Sequence, residues 1–470
     1  MNRNIVRIFI LLIPLIVGGA CKKDEAKNPL IADYEVGEDL PGGDQTGGNH
    51  SENAFSFAMP GLYGNDALNF FVGDSFFNQN WVAAPASTTA RDGLGPTFNS
   101  RSCSGCHPKD GRGRAPEFDG EKSTGLLLRL SKSGVGLHGE PIPTDNYGGQ
   151  LNDLAIYGLN EEGEIQITYM EESGSFDDGE TYSLRRPSYS IVNSNYGALP
   201  SDLMISPRVG QQMIGLGLLE AISEQDLLHH VDEADNDNDG VSGRANYVWD
   251  EELGSPVLGR FGWKSNMPNL KQQTAGAFLG DIGITTSMFP FNSCPNGQVD
   301  CAQQANGGSP ELEDEDLDFV TLYVSTLAVP SRLRAKEEEV LRGKKLFNDL
   351  GCVKCHVPNY TTSFHHRFPG LSNQRIWPYT DLLLHDMGEG LADNRPDYLA
   401  SGNEWRTPPL WGIGMFQTVN NHTFYLHDGR ARNVQEAILW HGGEAEAIKQ
   451  KFKELKKEER NYLIQFLNSL

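Results

Sequence analysis

Apolar residues recur with helical spacing in two stretches that match each other along the chain. The two sets are Phe319, Val320, Tyr323, Val324 and Leu327, after an acidic start, and Tyr462, Leu463, Phe466, Leu467 and Leu470, after a charged one. Equivalent positions lie 143 residues apart, as 462 does from 319, and the spacing places one apolar stripe on each helix. The pattern predicts two amphipathic helices that each close a structural unit and pack against an opening helix, although ordinary core helices share this spacing.

A third amphipathic pattern, VLRGKKLFNDLG over residues 340–351, ends at a glycine directly before Cys352. A break at 328–331 separates it from the first closing helix. We therefore predict an N-terminal domain over residues 59–330 and a C-terminal domain over residues 331–470. The first is longer and leaves room for insertions between Pro108 and Asp314.

The N-terminal segment has the pattern of an export signal. Two arginines precede the apolar run 8–17, which is too short to span a bilayer, and small residues stand directly before Cys21. This order resembles a bacterial lipoprotein cleavage site, although Gly18 stands where leucine is usual. We expect a lipoprotein signal peptide over residues 1–21, a flexible polar tether over residues 22–58 and a protein on the periplasmic side, lipid-anchored at Cys21. Ordinary secretion with an unpaired Cys21 is the alternative.

The charge balance narrows the range of partners. The chain has 39 basic and 63 acidic residues, a net charge of −24. Such a surface repels nucleic acid, so we expect no nucleic-acid binding and no membrane contact except through the lipid. A basic redox partner or simple solubility would fit the acidic surface.

The seven cysteines sort into three groups. Cys21 belongs to the signal, and four others form the motifs RSCSGCH and GCVKCH. Cys294 and Cys301 remain, in a turn rich in proline, asparagine and glycine. In an exported chain this spacing predicts a local disulfide.

Each of the two motifs places a histidine directly after the second cysteine. The residues are Cys103, Cys106 and His107 in the first motif, and Cys352, Cys355 and His356 in the second. A zinc site does not need the adjacent histidine, and a thiol-disulfide motif would follow a strand rather than the helix that precedes Cys352. Covalent haem needs it, because two thiols bond the porphyrin and the neighbouring imidazole ligates the iron. We predict two covalently bound haem c groups, with His107 and His356 as proximal ligands.

Two haem motifs and the helical patterns predict the fold class. We expect a mainly α protein made of two cytochrome c-like haem domains. The 52 glycines and 25 prolines predict long irregular loops and insertions between the helices.

The segment from Trp405 to Gly443 resembles the C-terminal haem domain of bacterial di-haem cytochrome c peroxidases. Further stretches, taken together, resemble the related bacterial di-haem oxidoreductase family, and the likeness covers most of the chain after about residue 60. These stretches are GLGPTFNSRSCSGCH, YGGQLND, MIGLGLLEAI, DNDGVSGRAN, GRFGWK, DLLLHDMGEGLAD and LHDGRARN.

The resemblance implies ligands on the far side of each iron. In the peroxidases a methionine fourteen positions after the histidine of the His-Asp-Gly motif ligates the electron-transfer haem, and from His427 that position is His441. The resemblance thus implies ligation by His356 and His441, which lowers the potential relative to methionine. His441 could instead only cap its helix, and His385 and Met387 are rival ligands.

For the first haem, the resemblance makes Gln150 the candidate for the place that the distal catalytic residue has in the relatives. Glutamine can hold peroxide or water by hydrogen bonds but cannot transfer a proton at neutral pH. His138 is an alternative sixth ligand, and either residue could be an ordinary loop residue.

Two further features suggest a metal and an electron path. Asp235, Asp237 and Asp239 alternate before a glycine, as in the first half of an EF-hand calcium loop, but Asn246 stands where a glutamate is expected. We predict a possible Ca²⁺ there, with an acidic turn as the alternative. Trp263 and Trp81 are candidate relays between the haems, although each could be a plain core residue.

The resemblance implies an oxidoreductase of the peroxidase type. Electrons from a redox protein or a small-molecule donor would enter at the C-terminal haem, cross to the N-terminal haem and reduce hydrogen peroxide. An electron-transfer cytochrome without peroxide turnover and a protein-modifying haem oxidase are the alternatives. A zinc-binding module is a weaker one.

Overall fold

The computed structural model describes residues 30–122, 125–365 and 367–470. Helices make up 27% of the chain and strands 17%, so the prediction of a mainly α, cytochrome c-like fold is wrong. The reason is that the long insertion between the first haem motif and its closing helix is built largely of β-hairpins. Helical periodicity marks only the helices that flank each motif, and it carries no information about this insertion.

The longer helices lie near the two cysteine motifs, and short helices occupy the loops between them. The α-helices are α1 (Asn65–Asn78), α2 (Cys103–Cys106), α3 (Leu216–Glu220), α4 (Glu224–Leu228), α5 (Leu270–Ala277), α6 (Val299–Ala302), α7 (Asp314–Ser325), α8 (Glu338–Leu350), α9 (Phe416–Asn420), α10 (Val434–Trp440), α11 (Glu446–Glu454) and α12 (Lys457–Leu467). A wider helical turn, Phe278–Ile282, continues α5.

Within the described residues the strands form six separate two-stranded antiparallel sheets. The strands are β1 (Thr97–Phe98), β2 (Leu126–Ser131), β3 (Leu154–Ala155), β4 (Glu164–Ser175), β5 (Thr181–Val192), β6 (Met204–Val209), β7 (Tyr247–Asp250), β8 (Ser255–Leu258), β9 (Tyr360–Thr361), β10 (Arg375–Ile376), β11 (Leu384–Asp386) and β12 (Glu404–Arg406). The pairs are β1 with β3, β2 with β6, β4 with β5, β7 with β8, β9 with β10 and β11 with β12.

The predicted closing helices do pack against the opening ones. Helix α7 lies on α1, and α12 lies on α8. Both crossings use a glycine: a Cβ on Gly73 would stand 2.2 Å from the carbonyl oxygen of Phe319, and a Cβ on Gly343 would stand 2.0 Å from that of Tyr462. Phe319 and Tyr462 are the first residues of the two matched apolar sets. The sequence repeat thus corresponds to two equivalent helix crossings, each beside a cysteine motif.

The long β4–β5 hairpin reaches from the N-terminal part of the chain onto the C-terminal part. The Tyr189 hydroxyl donates to the Asp428 carboxylate at 2.8 Å, and Arg432 pairs with Glu171 at 2.8 Å. Phe176, at the tip, packs edge-on against Phe452. One continuous apolar core runs through both parts. The domain division at residue 330 stays a prediction.

Residues 30–58 belong to the stretch where the sequence predicted a flexible tether, and they pack on the body. Glu38 is fully buried, 2.7 Å from the Lys344 ammonium of α8, and Phe55 is fully buried in the core. A buried ion pair and a core aromatic hold this segment in place. The signal peptide over 1–21, Cys21 and the start of the tether lie outside the described residues. No helix in the described ranges has the length and apolar character needed to span a bilayer.

Candidate functional site

The N-terminal motif begins a short helix whose histidine points its ring into a cavity. Cys103, Cys106 and His107 line this cavity together with residues of β2, β6 and α5. The His107 Nδ1 lies 2.6 Å from the carbonyl oxygen of Gln211. Because a carbonyl only accepts, Nδ1 carries the proton and Nε2 keeps its lone pair for a metal.

The C-terminal motif lines a second cavity that holds two histidines of the same kind. His356 Nδ1 donates to the Tyr379 carbonyl at 3.0 Å, and His441 Nδ1 donates to the Ala437 carbonyl at 2.7 Å. Both rings line the cavity. Burial, followed by the neighbouring His441, lowers the pKa of His356 to about 4, and burial also lowers the pKa of His441. Two neutral imidazoles with available Nε2 atoms thus share one cavity, as metal ligation requires.

The rival ligand His385 is engaged on both ring nitrogens. Nε2 lies 2.8 Å from the Asp381 carboxylate and Nδ1 lies 2.7 Å from that of Glu444. Burial opposes charge on this ring, but Asp381 and Cys355 together outweigh burial, and the pKa of His385 stands well above its usual value. An imidazolium that donates a hydrogen bond from each ring nitrogen has no lone pair to offer a metal. Met387 also lines this cavity.

The four cysteines of the two motifs are present as thiols, which is the state required before a bond to haem forms. Cys294 and Cys301 are joined by the predicted disulfide, whereas no disulfide joins either motif pair. Burial raises the pKa of Cys103 and of Cys352 to about 12. Protonated, buried thiols make poor zinc ligands and slow redox nucleophiles.

Buried arginines provide an independent test of whether haem fits these cavities. Arg112 lines the C-terminal cavity, and its guanidinium donates to the carbonyl oxygens of Phe424 and Leu426. Arg406 lines both cavities and likewise donates only to neutral oxygens. Buried cations are costly without an anion. Haem brings two propionates, so the cysteine pairs, the histidines and these arginines together fit two haems.

The two cavities share one wall. Gln212, Trp263, Arg406 and Pro409 line both of them. The Trp263 indole N–H donates to the Val209 carbonyl at 2.9 Å, which fixes the ring between the cavities. Trp81 is fully buried and lines neither cavity. Of the two predicted relays, only Trp263 lies where an electron path between the cavities would pass.

Gln150 lies behind the N-terminal cavity rather than in its lining. Its amide nitrogen lies 2.8 Å from a carboxylate oxygen of Asp281 and 2.6 Å from the amide oxygen of Asn99. Asp281 does line the cavity. His138 is exposed and stacks on Trp249 with 3.7 Å between the ring centres, away from both cavities.

The predicted calcium loop brings a different trio of carboxylates together. Asp232, Asp235 and Asp237 have ligand atoms within 4.8 Å of one another. The Asp239 carboxylate instead lies 3.0 Å from the ammonium of Lys354, which stands between the two cysteines of the C-terminal motif. Exposed acidic groups gather in this way without an ion as well, so calcium stays a prediction.

Sequence reasoning missed three residues around the cavities: Gln211, Asp281 and Arg406. Asp281 stands 175 positions after Cys106, and nothing in its local sequence marks it. Arg406 lies inside the Trp405–Gly443 segment that resembles the peroxidases, and this position was the available sequence signal. Gln211 and Asp281 reach the N-terminal cavity only because the insertion folds against the C-terminal part, which contributes Arg406.

Comparison with known families gives a match over nearly the whole chain. The sequence model of a family described as "Di-haem oxidoreductase, putative peroxidase" matches residues 37–470. Comparisons with curated proteins and with solved structures gave no match.

Proposed function

Since the chain belongs to the di-haem oxidoreductase family, we propose that it binds two covalent haem c groups and reduces hydrogen peroxide. Electrons enter at the C-terminal haem and pass to the N-terminal haem, where peroxide is reduced. One observation carries this assignment: the C-terminal cavity is lined by His356, His441 and His427, each with an Nε2 that is available to a metal, and the N-terminal cavity is lined by His107 alone. A second strong ligand favours electron transfer, and a position without one favours small-molecule chemistry.

The reaction consumes two electrons and two protons for each peroxide and yields two waters. Haem iron, when bound, supplies the one-electron redox chemistry and a coordination position. The chain must supply the protons, and glutamine cannot do so at neutral pH. We therefore assign proton transfer to the Asp281 carboxylate in the cavity lining, with Gln150 orienting it through the 2.8 Å hydrogen bond.

A second carboxylate, Asp153, is linked to Asp281 through two side-chain amides. The Asn99 amide joins the two, because its oxygen accepts from Gln150 and its nitrogen donates to Asp153 at 3.0 Å. Burial raises the pKa of Asp153 to about 6, so this group gains and loses a proton near neutral pH. Asp153 is partly exposed and can exchange protons with solvent, while the Asn99 and Gln150 amides hold the two carboxylates in place without carrying the proton themselves.

Trp263 is the proposed relay between the haems. Its ring lines both cavities, and the guanidinium of Arg112 lies 5.2 Å from the ring centre. A cation over an indole face stabilises the neutral ring against oxidation, so the tryptophan serves as a path without becoming a lasting radical.

The protein is proposed to act on the periplasmic side, anchored by lipid on Cys21. The export pattern over residues 1–21 supports this placement. The electron donor is a redox protein or a small molecule, and the net charge of −24 favours a basic protein.

The test is an anaerobic redox titration of the exported protein, followed by peroxide. Denaturing electrophoresis with a haem stain comes first and should show haem that stays bound. The ferric protein should contain one low-spin and one high-spin haem, and the half-reduced or fully reduced protein should consume peroxide. Asp281→Asn should reduce peroxide turnover at least tenfold with both haems and their spectra intact. A colourless protein, or unchanged turnover in Asp281→Asn, would contradict the proposal.

A second candidate is an electron-transfer cytochrome without peroxide turnover. Met213 and Met267 also line the N-terminal cavity, and ligation by either would complete the iron. Two low-spin ferric haems and no reaction with peroxide would favour this function.

A further inference from the structure

Arg406, at the end of β12, is a buried cation in the wall between the two cavities. It is 4% exposed and lines both of them. Its Nε donates to the Gly262 carbonyl at 2.7 Å, one Nη donates to the side-chain oxygen of Gln211 at 3.1 Å, and the other reaches the Thr407 carbonyl at 3.4 Å. Three neutral acceptors hold the guanidinium in one orientation.

Some other buried arginines have a carboxylate partner, whereas Arg185 is held by carbonyl oxygens as Arg406 is. Arg208 lies 2.9 Å from Asp397, and Arg430 lies 2.8 Å from Asp428. Among the described ion pairs none involves Arg406 or Arg112. Burial lowers the pKa of Arg406 to about 10, which still leaves it charged at neutral pH. The Asp381 carboxylate interacts electrostatically with Arg406, but it is paired with His385 at 2.8 Å.

The same guanidinium is connected to the N-terminal proximal histidine. Gln211 accepts from Arg406 with its side chain and from the His107 Nδ1 with its backbone carbonyl at 2.6 Å. A change at Arg406 is thus felt at this ligand as well as in the cavity linings.

We propose that Arg406 is a positioning residue shared by both haems, whose buried positive charge raises the reduction potential of each. A nearby cation repels the oxidised iron more strongly than the reduced iron, which carries one positive charge fewer, and in a buried wall this repulsion is only weakly screened. A charge that acts on both haems keeps the donor and the acceptor potentials in step. The inference depends on the proposed loading with two haems, but not on peroxide turnover.

The test measures the midpoint potentials of both haems in an optical and EPR redox titration without peroxide. Low-spin and high-spin signals distinguish the C-terminal from the N-terminal haem. Arg406→Gln should lower both potentials, each by at least the equivalent of a tenfold change in the reduced-to-oxidised ratio, about 59 mV for one electron. Arg406→Lys, which keeps the charge, should restore most of both shifts.

The chain provides matched controls that each line a single cavity. Arg112→Gln should lower only the C-terminal potential, and Arg129→Gln only the N-terminal one. If Arg406→Gln does not fold, Gln211→Glu cancels the charge in place and should lower both potentials. A shift of one potential or of neither, in Arg406→Gln or in Gln211→Glu, overturns the proposal.

The two proposals fail in different ways. A wild-type protein that carries no haem fails the proposed function before any variant is made. A wild-type protein that carries haem but does not react with peroxide still permits the potential measurements, so the role of Arg406 is judged separately.

Discussion

Gly343 lies where α8 crosses α12, and replacing it with alanine is expected to force the two helices apart. A Cβ there would lie 2.0 Å from the Tyr462 carbonyl oxygen and 2.6 Å from the Phe466 Cβ. Ordinary contacts between such atoms are about 3.5 Å, so relief requires a separation of roughly 1 Å or more. The obstacle is backbone, which cannot turn away as a flexible side chain would.

The magnitude follows from two opposing effects. Overpacking costs about 1–3 kcal/mol, and a backbone clash belongs at the upper end of that range. Alanine is favoured over glycine inside a helix by about 1 kcal/mol. We therefore expect Gly343→Ala to lower the free energy of unfolding by about 2 kcal/mol. Gly73→Ala, at the equivalent crossing of α1 and α7, should behave in the same way.

Gly276 in α5 provides the matched control. A Cβ at this position would meet Met267 at 3.6 Å and Phe289 at 4.0 Å, which are ordinary contacts. Gly276→Ala should therefore raise the free energy of unfolding by about 0.5–1 kcal/mol. The assay is urea unfolding of the haem-loaded proteins, followed by circular dichroism and by Soret absorbance. If Gly343→Ala unfolds at the same urea concentration as wild type, or as Gly276→Ala, the close crossing does not exist in solution.

Three further outcomes are expected. His441→Met should raise the potential of the C-terminal haem with the low-spin state kept, because methionine ligation favours the reduced iron; an unchanged potential in a redox titration would show that His441 is not a ligand. Cys352→Ser should leave the C-terminal haem attached by one bond only, which a pyridine haemochrome spectrum reports as a shifted band, and an unshifted band would argue against attachment there. Burial raises the pKa of Glu162 to about 8 from an ordinary value of 4.5, so the folded state holds a proton that the unfolded state releases, and stability falls as pH rises between these values. Glu162→Gln should remove this dependence. The urea midpoints of wild type and variant, measured from pH 5 to 8, should therefore change differently with pH, and parallel pH profiles would contradict the assignment.

The haem motifs could be found from the sequence because their chemistry is local. Cys103, Cys106 and His107 stand within five positions, so they stay together in any fold, and the family match agrees with that recognition. The helix crossings were also predictable, because an apolar stripe shows which face of a helix is buried. Their glycines were not identified, since a close approach depends on a partner more than 100 residues away.

The fold class was predicted wrongly for a related reason. The β4 and β5 strands are exposed along much of their length and carry many charged and polar residues. They are stabilised by pairing with each other and by contacts with the C-terminal part, such as Tyr189 with Asp428. Neither stabilising contribution appears in a window of neighbouring residues.

By itself the sequence indicated the two motifs that are candidates for haem attachment, where the two helix pairs form, and that Cys294 and Cys301 can join. Tertiary structure alone decided that Asp281 rather than Gln150 lines the N-terminal cavity, that His385 is held between two carboxylates, and that Arg406 stands between both cavities. The physical reason is that charge and proton affinity depend on burial and on nearby groups. Those neighbours come from distant parts of the chain, and only the packed core brings them within a few ångströms of one another.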